Sequence, residues 1–379
     1  MGPLKGIKVV ELSTTITGPL AGMMLADLGA EVIKVEKVDG GDPLRTFREG
    51  QYSPNFRAYN RNKRSLAIDL RSDFGGQVAE ALFKRSDILL ENFRPGVLER
   101  MGWTDERLKK LNARLIRCSI SGFGTTGPYA DRPCYDAVAQ SLSGMLGLFL
   151  DPASPSATGP TVADNATGNA ACSAILAALY ERERTGVARR VDINMLEATI
   201  AFMPDPFGYI GEDGYKIDSF ARVRQSQTYI FQCKDDRTIC VHLSSQQKFW
   251  NGITEALGRS DLKDDPRFTT RYTRYEHYFE LLALINQITR QQSSAHWLKE
   301  FARVGIPAAP VYTVEEVTRD PQVGHLDTFV KIRHPKGTTN AIRRAMYFDG
   351  RRDDQKLEAP PALGEHTNEI LTELGLKRD

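Results

Sequence analysis

IKVVELSTTITGPLAGMMLADLGAEVIKVE, residues 7–36, is the stretch on which the fold turns. Ile7 to Leu12 is a short apolar run of strand length. Pro19 to Leu28 reads as a helix: a proline at the first helical position costs no hydrogen bond, and Gly29 closes the far end. Glu31 to Glu36 is a second strand. Strand, helix and strand within about thirty residues argue for a parallel α/β sheet, because a helical crossover returns the chain to start again in the same direction. The same unit is where a dinucleotide would bind, with Glu36 placed to accept from a ribose hydroxyl. The glycine test fails, however. Thr14-Thr15-Ile16-Thr17-Gly18-Pro19 stands where Gly-x-Gly-x-x-Gly is needed.

Outward from this unit the alternation continues. SLAIDL (65–70), DILLE (87–91), RLIRCSIS (114–121) and Arg190 to Asn194 read as strands. Helices are expected from about Gly75 to Arg85, after the turn Asn92-Phe93-Arg94-Pro95-Gly96, over Tyr135 to Leu148, and from ADNATG (163–168) to Arg184, where Thr185-Gly186 ends the run. The character changes near residue 205. Tyr229 to Leu243 reads as a hairpin turning at Lys234-Asp235-Asp236-Arg237, followed by amphipathic helices at Gln247–Leu257, Tyr275–Thr289 and Ser294–Val304. From about 330 the chain is polar and strand-like, and it ends in a helix from Asn368 to Leu374. The expected organisation is a Rossmann-like parallel-sheet large domain over 1–204, a smaller α+β domain over 205–328, and a return to the large domain over 329–379.

Composition bounds the function. The 379 residues carry 50 Lys and Arg against 48 Asp and Glu, a net charge of +2, which offers no nucleic-acid surface. Five scattered cysteines without Cys-x-x-Cys read as free thiols in a reducing compartment. All six histidines lie at His242 or beyond and none has ligand spacing, so no metal site is expected and the chemistry of the earlier chain proceeds without imidazole. The first residues lack signal-peptide and myristoylation patterns, and no apolar run approaches the roughly 18 residues of a membrane span. A cytoplasmic enzyme without membrane or nucleic-acid partners is the expectation.

Three features bear on chemistry. The loop Gly122-Phe123-Gly124-Thr125-Thr126-Gly127-Pro128 lacks a P-loop ending, yet it follows a strand, where α/β folds bind ligands. The basic residues Lys34, Lys37, Arg45, Arg48, Arg57, Arg61, Lys63 and Arg64 fall within about thirty residues; most read as solvated, a few as able to hold phosphate. Asp164 stands just before a long helix, where it reads first as an N-cap that Asn would replace silently. Its small neighbours Ala163, Ala166, Thr167 and Gly168 would also let a bulky substrate reach its carboxylate, which a helix start would keep ionised.

Taken together, the blocks resemble one family. GIKVVELSTTITGPLAGMMLADLGAEVIKVEK (6–37), NRNKRSLAIDLRS (60–72), DILLENFRPGVLERMGW (87–103), ISGFGTTGPYADRPCYDAVAQSLSGML (120–146), ADNATGNAACSAILAALYERERTG (163–186), DDPRF (264–268), VGIPAAPVYTVEEV (304–317) and LGEHTNEIL (363–371) are similar, in order, to the class III coenzyme A transferases, the family of formyl-CoA transferase and the carnitine and bile-acid CoA-transferases. The resemblance implies that Asp164 is the catalytic aspartate, working through an aspartyl-CoA thioester. It implies coenzyme A as a substrate, not a tightly bound cofactor. The nucleotide end would be held by Lys37, by Ile68, Asp69, Leu70 and Arg71, by Asn92, Phe93 and Arg94, and by Arg100. The pantetheine would pass Tyr135 and Asp136, and Ile16 and Thr17. Oxyanion donors would be backbone N–H groups at the start of the Asn165 helix and in the Gly122–Gly127 loop. The family architecture implies a homodimer of interlocked rings.

The chain also departs from the pattern. Thr17 and Pro133 do not reproduce polar and basic side chains of formyl-CoA transferase, and Arg224-Gln225-Ser226-Gln227-Thr228 lacks its glycine-rich loop, so formate and oxalate are not implied as substrates. A racemase of CoA thioesters shares the fold but resembles Gly-His-Asp where this chain has Cys134-Tyr135-Asp136; without that imidazole, α-proton transfer lacks its base. A non-catalytic CoA-binding subunit is the other alternative, and Asp164 speaks against it.

Overall fold

The computed structural model describes residues 2–47, 50–151, 153–212, 217–244, 246–334, 337–352 and 357–377. The chain forms two compact units. Unit 1 comprises Met1–Leu146, Ser156–Pro204 and Gly324–Asp379; unit 2 comprises Gly147–Pro155 and Asp205–Val323.

Unit 1 is built on six strands: β1 (Lys8–Leu12), β2 (Glu31–Glu36), β3 (Lys63–Ala67), β4 (Ile88–Glu91), β5 (Ile116–Ser121) and β6 (Arg190–Asn194). All neighbours pair in parallel, in the order β3-β2-β1-β4-β5-β6. Its helices are α1 (Thr17–Asp27), α2 (Pro54–Tyr59), α3 (Asp73–Arg85), α4 (Val97–Arg100), α5 (Asp105–Leu111), α6 (Asp136–Leu142), α7 (Val162–Thr185) and α8 (Met195–Phe202), with a last helix at Thr367–Leu374. Central strand β4 (ILLE) is buried along its whole length because both faces of the sheet are covered, whereas edge strand β6 is only partly buried. Val9, Val32, Ile88, Leu90 and Ile116 pack with Ala21 and Leu25 of α1 and Ile175 and Leu179 of α7. Their sequence neighbours Val10 and Leu89, with Leu66, face Val78, Leu82 and Phe83 of α3 and Ile370 of the last helix.

α7 buries small residues rather than an apolar stripe. A Cβ on its Gly168 would stand 2.9 Å from the Thr17 carbonyl oxygen and 2.8 Å from Leu20 Cδ2, so only glycine lets α7 lie this close to the start of α1. The far end stops where expected, at Gly186 with φ 75°, whose N–H donates to the Arg182 carbonyl at 2.8 Å. α6 is shorter than its sequence suggests: Gly144 takes φ 84° and only a 3₁₀ turn, Leu146–Leu148, follows. Unit 1 also holds an antiparallel pair, β10 (Phe329–His334) with β11 (Gly337–Ile342).

Unit 2 carries the expected hairpin, β7 (Thr228–Gln232) with β8 (Thr238–His242), extended by a three-residue strand β9 (Ala308–Pro310). Its core gathers Tyr229, Phe231, Ile239, Val241, Trp250, Phe268 and Phe301. The helix expected over Tyr275–Thr289 is two, Arg271–Glu276 and Tyr278–Thr289, meeting at His277.

Candidate active site

Strand order reverses between β1 and β4, and in open parallel sheets the crevice at that reversal, beyond the carboxyl ends of the strands, is where ligands bind. A cavity of about 200 Å³ lies there. Thr14 to Thr17 enter it after β1, Asn92 to Arg94 after β4, and Ser121 and Gly122 from the end of β5. Arg132 to Tyr135, Asp164 of α7 and Met195 of α8 complete it. Seven of the residues expected at the site therefore share one cavity: Ile16, Thr17, Asn92, Phe93, Arg94, Tyr135 and Asp164.

Asp164 is not a cap. α7 begins at Val162 after Thr161, which makes Asp164 the third helical residue. Asp136 serves the helix start instead: its Oδ1 accepts the Asp164 N–H at 3.1 Å, and its Oδ2 accepts from Gln140 Nε2 at 2.6 Å. Asp136 thus directs both oxygens into the fold. No hydrogen bond from a described residue reaches the side-chain oxygens of Asp164, although the residue is only 8% exposed. Burial, and then the neighbouring Asp136 carboxylate, push its pKa up to about 7, against the expectation that the helix start holds it ionised. The same surroundings, burial first and then Asp164 and Asp136, push the Cys134 thiol up to about 11.

Of the two expected sources of oxyanion donors, the helix start is already occupied. The Asp164 N–H goes to Asp136, and the Asn165 N–H goes to the Thr161 carbonyl at 3.3 Å. In the glycine loop, Gly122 lines the cavity because it has no side chain: a Cβ there would meet Cys134 Cβ at 2.3 Å.

The loop after β1 is held from both sides. Asn92 Oδ1 accepts the Thr14 N–H at 2.9 Å, and its Nδ2 donates to the Thr14 carbonyl at 2.8 Å and to Thr17 Oγ1 at 3.1 Å. From below, buried Lys34 donates to the Ser13 carbonyl at 2.7 Å and pairs with Glu11 at 3.0 Å and Asp42 at 2.9 Å. Asp42 in turn accepts the Thr15 N–H at 3.2 Å, and Thr15 takes φ 71°, an unusual value for a β-branched residue. Lys63 pairs with the other Glu11 oxygen at 2.8 Å. Burial opposes the charge of Lys34, but Glu11, Asp42 and Glu36 raise its pKa. Lys63, buried and sharing Glu11 with a second ammonium, falls to about 8.

This network revises the reading of the basic cluster. Lys34, Arg45, Arg61 and Lys63 are neither solvated nor free for phosphate; they are buried against Glu11, Glu36, Asp27 and Asp42. Glu36 is likewise committed, to Arg45, and cannot serve a ribose. Arg64 pairs with Glu31, Glu369 and Glu373, and Arg57 lies 2.6 Å from His334. Arg48 lies outside the described residues.

The remaining expected contacts do not reach the cavity. Leu70, Arg71 and Arg100 line a larger cleft of about 1110 Å³ between α3 and α4. Lys37 is exposed after β2, Asp69 is exposed beside Arg71 at 3.2 Å, and Ile68 is buried in the core. Conversely, Thr14, Thr15, Ser121, Arg132, Cys134 and Met195 line the cavity without having been singled out as contacts. Ser121 and Met195 lie at or just after the ends of β5 and β6, so the strand-end rule would have found them once the sheet order was known.

A model described as CoA-transferase family III matches residues 4–367. The chain belongs to CoA-transferase family III. Among relatives, the acetyl-CoA:oxalate CoA-transferase of Acetobacter aceti is 32% identical, covering 92% of this chain and 90% of its own length. The human succinyl-CoA:glutarate CoA-transferase is 31% identical over 98% of this chain and 86% of its own. Among solved structures, a CaiB/BaiF family protein from Brucella suis superposes with a TM-score of 0.84 at 32% identity, covering 98% of this chain and 99% of that one. Rv3272 of Mycobacterium tuberculosis gives 0.86 at 29% identity, with the same coverage. The chain is therefore an enzyme of the class III CoA-transferases. Among the described residues no cluster of His, Cys, Asp and Glu could hold a metal ion, and no helix is long and apolar enough to cross a membrane.

Proposed function

We propose that this family III enzyme moves coenzyme A from an acyl-CoA to a small carboxylic acid through a thioester on Asp164. One observation carries the reading: Asp164, the only carboxylate among the described residues that line the switch-point cavity, is buried there and accepts no hydrogen bond from a described residue. A carboxylate of raised basicity is also the better nucleophile once ionised. Asp164 attacks the donor thioester carbonyl; the C–S bond breaks and leaves CoA thiolate beside a mixed anhydride. The thiolate attacks the Asp164 carbonyl, the donor acid departs as its carboxylate, and the enzyme holds CoA as a thioester. An acceptor carboxylate then attacks that thioester and releases the thiolate, which attacks the acceptor acyl carbonyl and frees Asp164. No net proton is consumed. The glycine loop at Gly122 is the remaining source of oxyanion donors. Mixing enzyme with donor alone should add the mass of CoA less one water to the peptide bearing Asp164, in a form released by hydroxylamine. A peptide that stays unmodified under turnover conditions would remove the intermediate.

For coenzyme A itself, we propose that Lys37 and Arg100 receive the nucleotide end; neither side chain has a carboxylate partner among the described residues. Loss of one charge-assisted contact is worth roughly 1.5–3 kcal/mol, so each alanine variant should bind CoA roughly ten- to hundredfold more weakly by calorimetry. Unchanged affinity in both would take them out of the site.

The homodimer implied by the resemblance is proposed on a further observation. α6, α7 and α8 pack on one another, and they leave Val138, Leu142, Tyr180 and Phe202 exposed. A partner chain laid on these helices would cover those side chains. Sedimentation at nanomolar protein should show dimer, and a compact active monomer would contradict it.

A further inference from the structure

We infer that Arg132 selects acids with a second carboxylate, acting as a specificity-determining residue of the acid half of the reaction. The inference rests on the Asp164 reading and begins from the charges that line the cavity. These are Arg94, Arg132 and Asp164. Arg132 is exposed at the mouth of the cavity and has no hydrogen bond or ion pair from its guanidinium to any described residue; its Cζ lies 4.0 Å from the centre of the Tyr129 ring. With the Tyr129 ring beside its guanidinium carbon and no partner on its N–H groups among the described residues, Arg132 keeps a fork that can receive a carboxylate through two parallel hydrogen bonds. The arginine is held in place locally: its backbone N–H donates to the Tyr129 carbonyl at 2.9 Å, and Tyr129 rests edge-on against Phe123 at 5.9 Å.

The reaction makes this charge consequential. In the resting enzyme Asp164 partly offsets the arginines. Once Asp164 is converted to a thioester, the lining residues carry two cations and no anion. An acceptor with one carboxylate must bring that group to Asp164 and leaves Arg132 unmatched. A dicarboxylic acid brings one carboxylate to the reacting carbon and sets the other on the Arg132 fork. The discrimination comes from one charge-assisted pair, at an exposed arginine, that only the dicarboxylic acid can make.

The test uses acids of equal length that differ only in the second carboxylate: succinate against butyrate, and glutarate against valerate. Each is offered to enzyme preloaded with CoA, and each is also titrated calorimetrically into enzyme with CoA bound. Wild type should favour the dicarboxylate of each pair by roughly two- to fivefold in kcat/KM and in affinity, the range expected for an ion pair at an exposed arginine. Arg132→Ala should lose that preference while binding CoA as wild type does, and Arg132→Lys should recover part of it. Equal treatment of the paired acids by wild type, or an undiminished preference in Arg132→Ala, would overturn the proposal. So would a loss of CoA affinity matching the loss of acid affinity, which would assign the arginine to phosphate. Preloading that yields no adduct, with Arg132-dependent binding of succinate intact, would count against the thioester and leave the specificity standing.

Discussion

Asp164→Asn should abolish CoA transfer and, at alkaline pH, melt above the wild type. Removal of a covalent nucleophile in comparable enzymes costs roughly a thousandfold or more, and the amide has no anion with which to attack. The stability gain follows from the raised pKa. The fold favours the neutral acid, so stability supplied by protonated Asp164 is fully present below its ordinary value of 3.8, is lost as pH rises towards about 7, and is level above that. Asn is neutral throughout. Its advantage should therefore grow across that window and reach roughly 2–4 kcal/mol by pH 8, at about 1.4 kcal/mol per pKa unit. Wild-type kcat/KM for the donor should fall as pH drops below about 7, because the attacking form disappears. Measured activity in a deamidation-checked Asn variant, or equal melting of the two proteins at pH 8, would contradict this account. An N-cap would have given equal melting, as the sequence alone suggests.

Glu11→Ala should be the most destabilising single change beneath the site. Both Glu11 oxygens are paired, one with Lys34 at 3.0 Å and one with Lys63 at 2.8 Å, and all three side chains are fully buried. Removing the shared anion leaves Lys63 with no carboxylate partner and Lys34 with Asp42 alone. Breaking a buried pair from one side typically costs about 3–5 kcal/mol, and here one residue serves two cations. Because Lys34 also holds the Ser13 carbonyl, the loop after β1 should loosen and donor KM should rise as well. Denaturant titration followed by a unit 1 probe should show the loss. A triple change of Glu11, Lys34 and Lys63 to leucines should recover much of it, since an apolar replacement needs no partner. A loss under about 1 kcal/mol for Glu11→Ala would mean that the network contributes little.

The sheet was legible in the sequence because short, β-branched-rich segments alternate with helical ones: Ile7–Leu12, Asp87–Glu91 and Arg190–Asn194 each lie within a residue or so of the observed element. Register and order were not legible, since parallel strands pair through helices that leave no mark on strand composition. That gap hid the cavity. Met195 lies some sixty residues from Cys134, and only the adjacency of β5 and β6 brings them to one wall. The fate of the basic cluster was hidden for a related reason. Lys34 and Lys63 read as surface charges until Glu11 and Asp42 are seen to close around them. β9 was missed because three residues ending in Pro310 carry too little pattern. Asp164 was placed one turn too early, because Asp-x-x-Thr fits a cap as well as it fits a first turn whose cap comes from Asp136.

The unit that holds Asp164 is stitched from three stretches of chain, and the last is made last. Arg45 Nη1 donates to the Pro361 carbonyl at 3.1 Å, the Gly364 N–H donates to Ser65 Oγ at 2.9 Å, and the Ala67 N–H donates to Thr367 Oγ1 at 3.1 Å. These groups seal the β3 edge of the sheet, next to the strand that bears Lys34. During synthesis the first two stretches leave the ribosome long before their final partners exist, with Asp205–Val323 of the second unit translated in between. A nascent chain halted between Pro204 and Gly324 carries the nucleophile and both switch-point loops on a sheet whose β3 edge is still open. Completion of the catalytic unit therefore waits on the stretch that follows Gly324, and a chain lacking it presents an uncovered strand edge.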